Sequence, residues 1–167
     1  MKRWFAFLTA AVLILSVSAA SAVPKNVEYR SARRFLELLD EKEIKYTYTG
    51  VNSDDLESVK VSYNLSVGTA DVLMLFNEDN EHCSLRVWNL IDFDESRLNE
   101  MYAVCNALNS NYKYCTFYVD ESDFSVSVSM DLIYRSSGSD EICYEALLRC
   151  VQICDDAMEE TLQNYRK

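Results

Sequence analysis

The sequence predicts a single α+β domain with helices packed on a mainly antiparallel sheet, and three observations predict it. Apolar residues recur with the helical period of 3.6 in three separated stretches, and between them short runs alternate apolar and polar with the strand period of two. One proline, three glycines and no low-complexity run leave nothing that reads as an interdomain linker, and no segment repeats another.

The chain begins with a leader. Met1-Lys2-Arg3 is basic, Trp4 to Val17 is almost wholly apolar, and Ala20-Ser21-Ala22 has the small-x-small pattern that a signal peptidase cuts after. Cleavage after Ala22, with Ala20 and Ala22 as the recognised small residues, leaves one domain over residues 23–167. The alternative is an uncleaved anchor, because the apolar run reaches Val23 and approaches the roughly 18 to 20 residues that span a bilayer. Small residues replace large apolar ones just before Ala22, which favours cleavage and export to the periplasm, the cell envelope or the exterior.

The elements follow in order. Asn26 is placed to cap a first helix in which Ala32, Phe35, Leu36 and Leu39 form one stripe and Arg30, Arg33, Arg34 and Glu37 face outward. Tyr46 to Thr49 is aromatic and β-branched, ends at Gly50, and gives way to a polar turn over residues 51–55. Val59, Val61, Tyr63, Leu65 and Val67 then alternate with Ser58, Lys60, Ser62, Asn64 and Ser66, which predicts a strand with one wet face. Val72 to Phe76 is apolar on both sides, as a central strand covered on both faces would be. A polar tip over residues 77–81 leads into a strand from Cys83 to Trp88.

Asp92 and Glu95 have capping-box spacing for a second helix, whose stripe is Leu98, Met101, Tyr102, Cys105 and Leu108 and whose end is Asn109-Ser110-Asn111. Strands from Tyr114 to Val119 and from Phe124 to Ile133 flank a turn over residues 120–123, with Val126, Val128, Met130 and Leu132 on the dry face. Ser139 caps a last helix with Asp140 and Glu141 in its first turn, Arg166-Lys167 at its end, and Cys143, Leu147, Cys150, Cys154 and Met158 inward. The order is helix, three or four strands, helix, two strands, helix.

The formal net charge is −11, and −13 once Lys2 and Arg3 leave with the leader. Such a surface repels phosphate backbones, so nucleic acid is excluded as a partner. It is not drawn to anionic lipid either, so membrane attachment would come only from an uncleaved leader.

Six cysteines in an exported chain raise the question of disulfides. Cys143, Cys150 and Cys154 fall at i, i+7 and i+11, and Cys105 lies in the stripe of the second helix, which makes them small core hydrophobes. The alternative is one bridge between neighbouring strands, through Cys83 or Cys115, or between Cys105 and Cys115. The only histidine, His82, adjoins Cys83, and neighbours on a strand point to opposite faces, so the two do not form a dyad. Glu78, Asp79 and Glu81 read as a solvated turn, since the spacing of a calcium loop is missing. Asn64-Leu65-Ser66 matches a glycosylation sequon but falls inside a predicted strand. No Gly-rich phosphate loop or nucleophile motif is present, so no catalytic residue, cofactor or metal ligand is assigned.

Eleven tyrosines are the more suggestive feature. Tyr46 and Tyr48, and Tyr112, Tyr114 and Tyr118, share a same-face spacing of two and offer apolar area with a polar tip, which suits either a partner surface or closure of the sheet under its helices.

The stretch from Val104 through Asn109-Ser-Asn-Tyr-Lys-Tyr114 to Thr116-Phe-Tyr-Val-Asp120, with the alternating strand after it and Asp140 to Arg149, resembles the YbjN-type family of bacterial sensory transduction regulators. Phe35-Leu-Glu-Leu-Leu39 followed by Ile44-Lys-Tyr46 is similar too, so the resemblance spans most of residues 27–162. It implies a fold like that of type III secretion chaperones, α-β-β-β-α-β-β-α, and, by analogy of fold, binding of other polypeptides. It carries over no site residue. The expected function is an exported, non-enzymatic protein- or peptide-binding or regulatory module, alone or as a homodimer. The alternatives are a carboxylate-based hydrolase whose acids converge only in the fold, or a structural component of the envelope.

Overall fold

The computed structural model describes residues 23–135 and 137–167; the expected leader, with Ala20 and Ala22, falls outside the described residues. Helix α1 (Arg30–Glu41) buries Ala32, Phe35, Leu36 and Leu39 as its spacing predicts. Its cap does not come from Asn26. The N-cap position is Tyr29, whose side chain makes no cap bond, while Asn26 only lends its carbonyl to the Tyr48 hydroxyl at 3.1 Å. The acceptor comes instead from a distant strand. Glu57, fully buried, receives the amides of Glu28 and Tyr29 at 2.7 Å each and the Tyr48 hydroxyl at 2.5 Å. A tertiary contact thus replaces the local cap.

Four strands follow: β1 (Thr47–Val51), β2 (Leu56–Asn64), β3 (Thr69–Asn77) and β4 (His82–Asp92). After helix α2 (Leu98–Asn111) come β5 (Thr116–Asp120), β6 (Ser125–Ile133) and helix α3 (Ser139–Glu160). The six strands form one antiparallel sheet in the order β1-β2-β3-β4-β6-β5. The first block therefore has four strands, one more than the α-β-β-β-α-β-β-α order that the resemblance implies, because the short segment Thr47–Val51 pairs with β2 and makes β1 a strand of its own.

Opposed residues of an antiparallel pair share a face, so the register sorts the side chains. Val59, Met74, Leu85 and Met130 run across β2, β3, β4 and β6 on the face covered by α1 and α3, where Phe35 packs on Phe76 with ring centroids 5.5 Å apart. Lys60, Leu73, Arg86 and Ser129 run across the other face. That face is laced with polar pairs, Lys60 to Asp71 at 3.1 Å and Arg86 to Asp131 at 2.9 Å. On β3, Val72, Met74 and Phe76 are buried towards the helices, but the expected cover on both faces is only partial: on the other side Leu75 is buried, Leu73 is half-buried and Asp71 is exposed.

Several boundaries differ from the sequence reading. The alternating strand stops at Asn64, because Gly68, at φ +91°, closes a turn in which the Leu65 amide donates to the Gly68 carbonyl. The sequon therefore starts at a strand end, and its Ser66 is held by Asp155 at 2.6 Å. Asp92 is still paired in β4; the capping side chain is Asp94, which accepts from the Ser96 amide at 3.0 Å and starts a short 3-10 turn before α2. Ser139 is already the first helical residue of α3, and Gly138, at φ +77°, holds the cap position. Glycine adopts that left-handed conformation without the penalty a Cβ would bring. Finally, α3 ends at Glu160. The Arg166-Lys167 pair lies beyond a 3-10 turn over Leu162–Asn164, and the Lys167 amide donates to the Asp92 carbonyl, so the chain end is tied to the sheet.

All six cysteines are buried and unbridged, with Cys143, Cys150 and Cys154 on the inner stripe of α3. Burial pushes the Cys105 thiol up to about 11, and a hydrogen bond with Cys150, added to burial, holds the Cys115 thiol far above its ordinary value. They belong to the core.

Candidate functional site

The two outer edges at β5 and β1 are blunted, each in its own way. On β5, the residues that face β6 are Thr116, Tyr118 and Asp120, so the amide and carbonyl of Phe117 point outward. The Asn109 carboxamide meets both: the Phe117 amide donates to its Oδ1 at 2.7 Å, and its Nδ2 donates to the Phe117 carbonyl at 2.9 Å. On β1, a strand of five residues, a register shift between Tyr48 and Gly50 breaks the edge.

The far end of β6 is different. Pairing with β5 stops at Ser129, because the chain turns away at Tyr114, which has φ +77°. The Tyr134 amide donates to the Glu81 carbonyl, so Tyr134, Leu132 and Met130 direct their backbone groups towards β4. Asp131 and Ile133, by the alternation of an antiparallel ladder, direct theirs to the opposite side, where no strand among the described residues lies beside them.

Beneath this open edge runs a groove of about 680 Å³ between β6 and α3. Its walls include Met130 and Leu132 from the strand, Ile142, Ala146, Leu148 and Arg149 from the helix, and Tyr114 at its mouth. Six large hydrophobic side chains of the described chain are exposed, and four of them, Tyr114, Ile133, Ile142 and Leu148, lie on this edge or its flanking helix. Exposed apolar side chains gathered in this way differ from the single, scattered ones common on protein surfaces.

Two carboxylates border the groove, Asp131 and Glu145. Asp131, through its register with Ser84, turns its side chain to the opposite face, where it accepts from Ser84 at 2.7 Å and Arg86 at 2.9 Å. The Ser84 hydroxyl, then Arg86, holds that carboxyl below its ordinary range. It is occupied as a surface ion pair and does not join Glu145 as an acid–base pair. Elsewhere, Asp79 at the β3–β4 tip accepts from the Glu81 amide and from His82 Nδ1, so this acidic turn satisfies itself. Among the described residues no three His, Cys, Asp or Glu side chains are grouped to hold a metal ion, and no helix is long and apolar enough to cross a membrane.

The five tyrosines fall into two groups at opposite edges of the sheet. Tyr46 precedes β1 and Tyr48 lies within it, with the Tyr48 hydroxyl engaged by Glu57. Tyr112 is the C-cap of α2 and packs on Phe117 with centroids 6.0 Å apart, Tyr118 lies within β5, and only Tyr114, 75% exposed, lines the groove. Tyr112 and Tyr114 precede the strand, so a spacing of two does not put them on one strand face. Sequence reasoning missed Asn109, Ile133, Ile142 and Leu148. Ile142 and Leu148 carry a legible signal, since both are apolar and fall off the Cys143, Leu147, Cys150 stripe.

Fold and edge together define a small α+β domain with helices on one face of a six-stranded sheet. The chain belongs to the YbjN family, described as "putative bacterial sensory transduction regulator", whose model matches residues 31–163. It is also similar to the crystal structure of YbjN, a "putative transcription regulator" from E. coli, with a TM-score of 0.48 and 11% identity over 72% of this chain and 86% of that one. No curated protein matches the sequence.

Proposed function

We propose that this chain is an exported, non-enzymatic binding or regulatory module that holds an extended polypeptide segment along the free end of β6. The observation that carries this reading is the pairing of an unoccupied strand edge at Asp131 and Ile133 with an apolar groove under it. A strand edge supplies main-chain hydrogen bonds to any sequence, and pockets beside it select alternate side chains. Catalysis would need a group free to exchange protons or attack. The groove offers apolar walls with an exposed Glu145 and an exposed Arg149 one helical turn apart, and no second carboxylate faces Glu145, since Asp131 is turned to the other face and bound by Ser84 and Arg86. Export is supported by the leader pattern ending at Ala22.

A photoreactive phenylalanine analogue in place of Tyr114 or Ile142 tests the site in cells that make the protein. Polypeptide adducts are expected at both positions and not with the analogue at Trp88, which is exposed on β4 outside the groove. Equal labelling at all three, or none, defeats the reading. The N-terminal residue of the processed chain tests export: Val23 is expected, and a retained Met1 contradicts it.

A further inference from the structure

We infer that the segment seated on β6 is the same segment of a second copy, paired antiparallel about a two-fold axis through Ile133; this rests on the binding site proposed above. The backbone groups of Asp131 and Ile133 point outward, and the ladder continues through Tyr134 to Glu81, so Arg135 is the next residue of the outward set. An antiparallel pair centred on Ile133 then opposes Ile133 to Ile133 and Asp131 to Arg135 of the other copy, twice. The three residues are self-complementary: an apolar centre flanked by one cation and by the Asp131 carboxylate, whose Oδ1 is held by Ser84 and Arg86 and whose Oδ2 is left to meet the partner's Arg135.

The surroundings agree with this pairing. Ile133 is 82% exposed, which is costly for an isoleucine on a monomer's edge and is relieved when it meets its own image. Arg135 is exposed, and no hydrogen bond or ion pair joins it to another of the described residues. With the axis perpendicular to the sheet, the helices of both copies lie on one side, and the half-exposed Ile142 and Leu148 of each α3 are brought towards the partner. A contact of this kind is isologous and closes at two copies, so it leads to a dimer and not to a fibre. The net charge, −11 for the full sequence and −13 without Lys2 and Arg3, opposes association, and salt near 0.15 M or above screens it.

Sedimentation of the purified, processed protein over a range of concentrations tests the inference. A dimer is expected for the native sequence. Ile133→Asp and Arg135→Asp should each weaken it by at least about tenfold, with circular dichroism unchanged because both side chains are exposed. Asp131→Arg should weaken it too, yet mixing Asp131→Arg with Arg135→Asp should restore a dimer, since the mixed pair opposes Arg to Asp at both positions. A structural defect would not be cured by mixing. A monomer at all concentrations, or failure of the mixture to recover when both variants fold, overturns the inference. Adducts from Tyr114 of twice the chain mass support it. Adducts of another mass from a monomeric protein overturn it while leaving the binding site proposed above intact, and a lack of adducts defeats both.

Discussion

Asn109 stands to Phe117 as a neighbouring strand would: its side-chain amide gives one hydrogen bond and takes one, at 2.9 and 2.7 Å, and so closes the outer edge of β5. The carboxamide carries its donor and its acceptor on separate atoms, so one short side chain at a helix end meets the amide and the carbonyl of Phe117 at once. Asn109→Ala should therefore lower stability in urea by about 1–2 kcal/mol and speed exchange of the Phe117 amide. An unchanged midpoint with an unchanged Phe117 amide would show that the edge does not depend on Asn109.

Glu57 sets the entry of α1. Its two oxygens take the Glu28 and Tyr29 amides, and Tyr48 completes the site. Burial, then the hydrogen bond to Glu57, pushes the Tyr48 hydroxyl well above its ordinary value, so it remains a donor across neutral and mildly basic pH. Glu57→Ala strands two amides and should cost about 2–4 kcal/mol. Tyr48→Phe removes one bond and should cost about 1 kcal/mol. Thermal unfolding checks both. Equal losses, or a larger loss for Tyr48→Phe, would contradict this arrangement.

The thiols give a third test. Burial and hydrogen bonding raise the Cys105 and Cys115 thiols, so neither forms thiolate at pH 8. The native protein should be silent towards a thiol-reactive dye for minutes and should yield six thiols in denaturant without reductant. Four or fewer would establish a bridge.

The acid limb of stability tests the polar face. Ser84, then Arg86, holds the folded-state carboxyl of Asp131 below its ordinary value, so its contribution is present above the unfolded value of about 3.9 and is lost as pH falls through the lower folded one. Asp131→Asn should narrow the difference in stability between pH 5 and pH 3, by a modest amount because the pair is largely exposed. Comparing the two proteins cancels the general relief of negative charge. An identical acid slope would contradict the assignment.

What the sequence revealed follows from which forces are local. The stripes of α1 and α3 and the alternation in β6 are legible because burial is periodic within one element. The cap of α1 was not, because its acceptor is Glu57, 28 residues beyond Tyr29, and a tertiary contact overrides Asn26. Of the candidate site, Tyr114 was reached from its residue type alone. Its neighbours were hidden because an open edge is a property of register: only the stop of β5 at Thr116 opposite Ser129 leaves Asp131 and Ile133 bare.

Amide exchange at Asp131 and Ile133 tests the central claim most directly, measured on the adduct trapped through Tyr114 and on the free monomeric chain. If a polypeptide adds as a strand to β6, both amides exchange at least about tenfold more slowly in the adduct, while Phe117, already covered by Asn109, is unchanged. If Asp131 and Ile133 exchange equally fast in both, the groove holds its partner by side chains alone and strand addition to β6 is wrong.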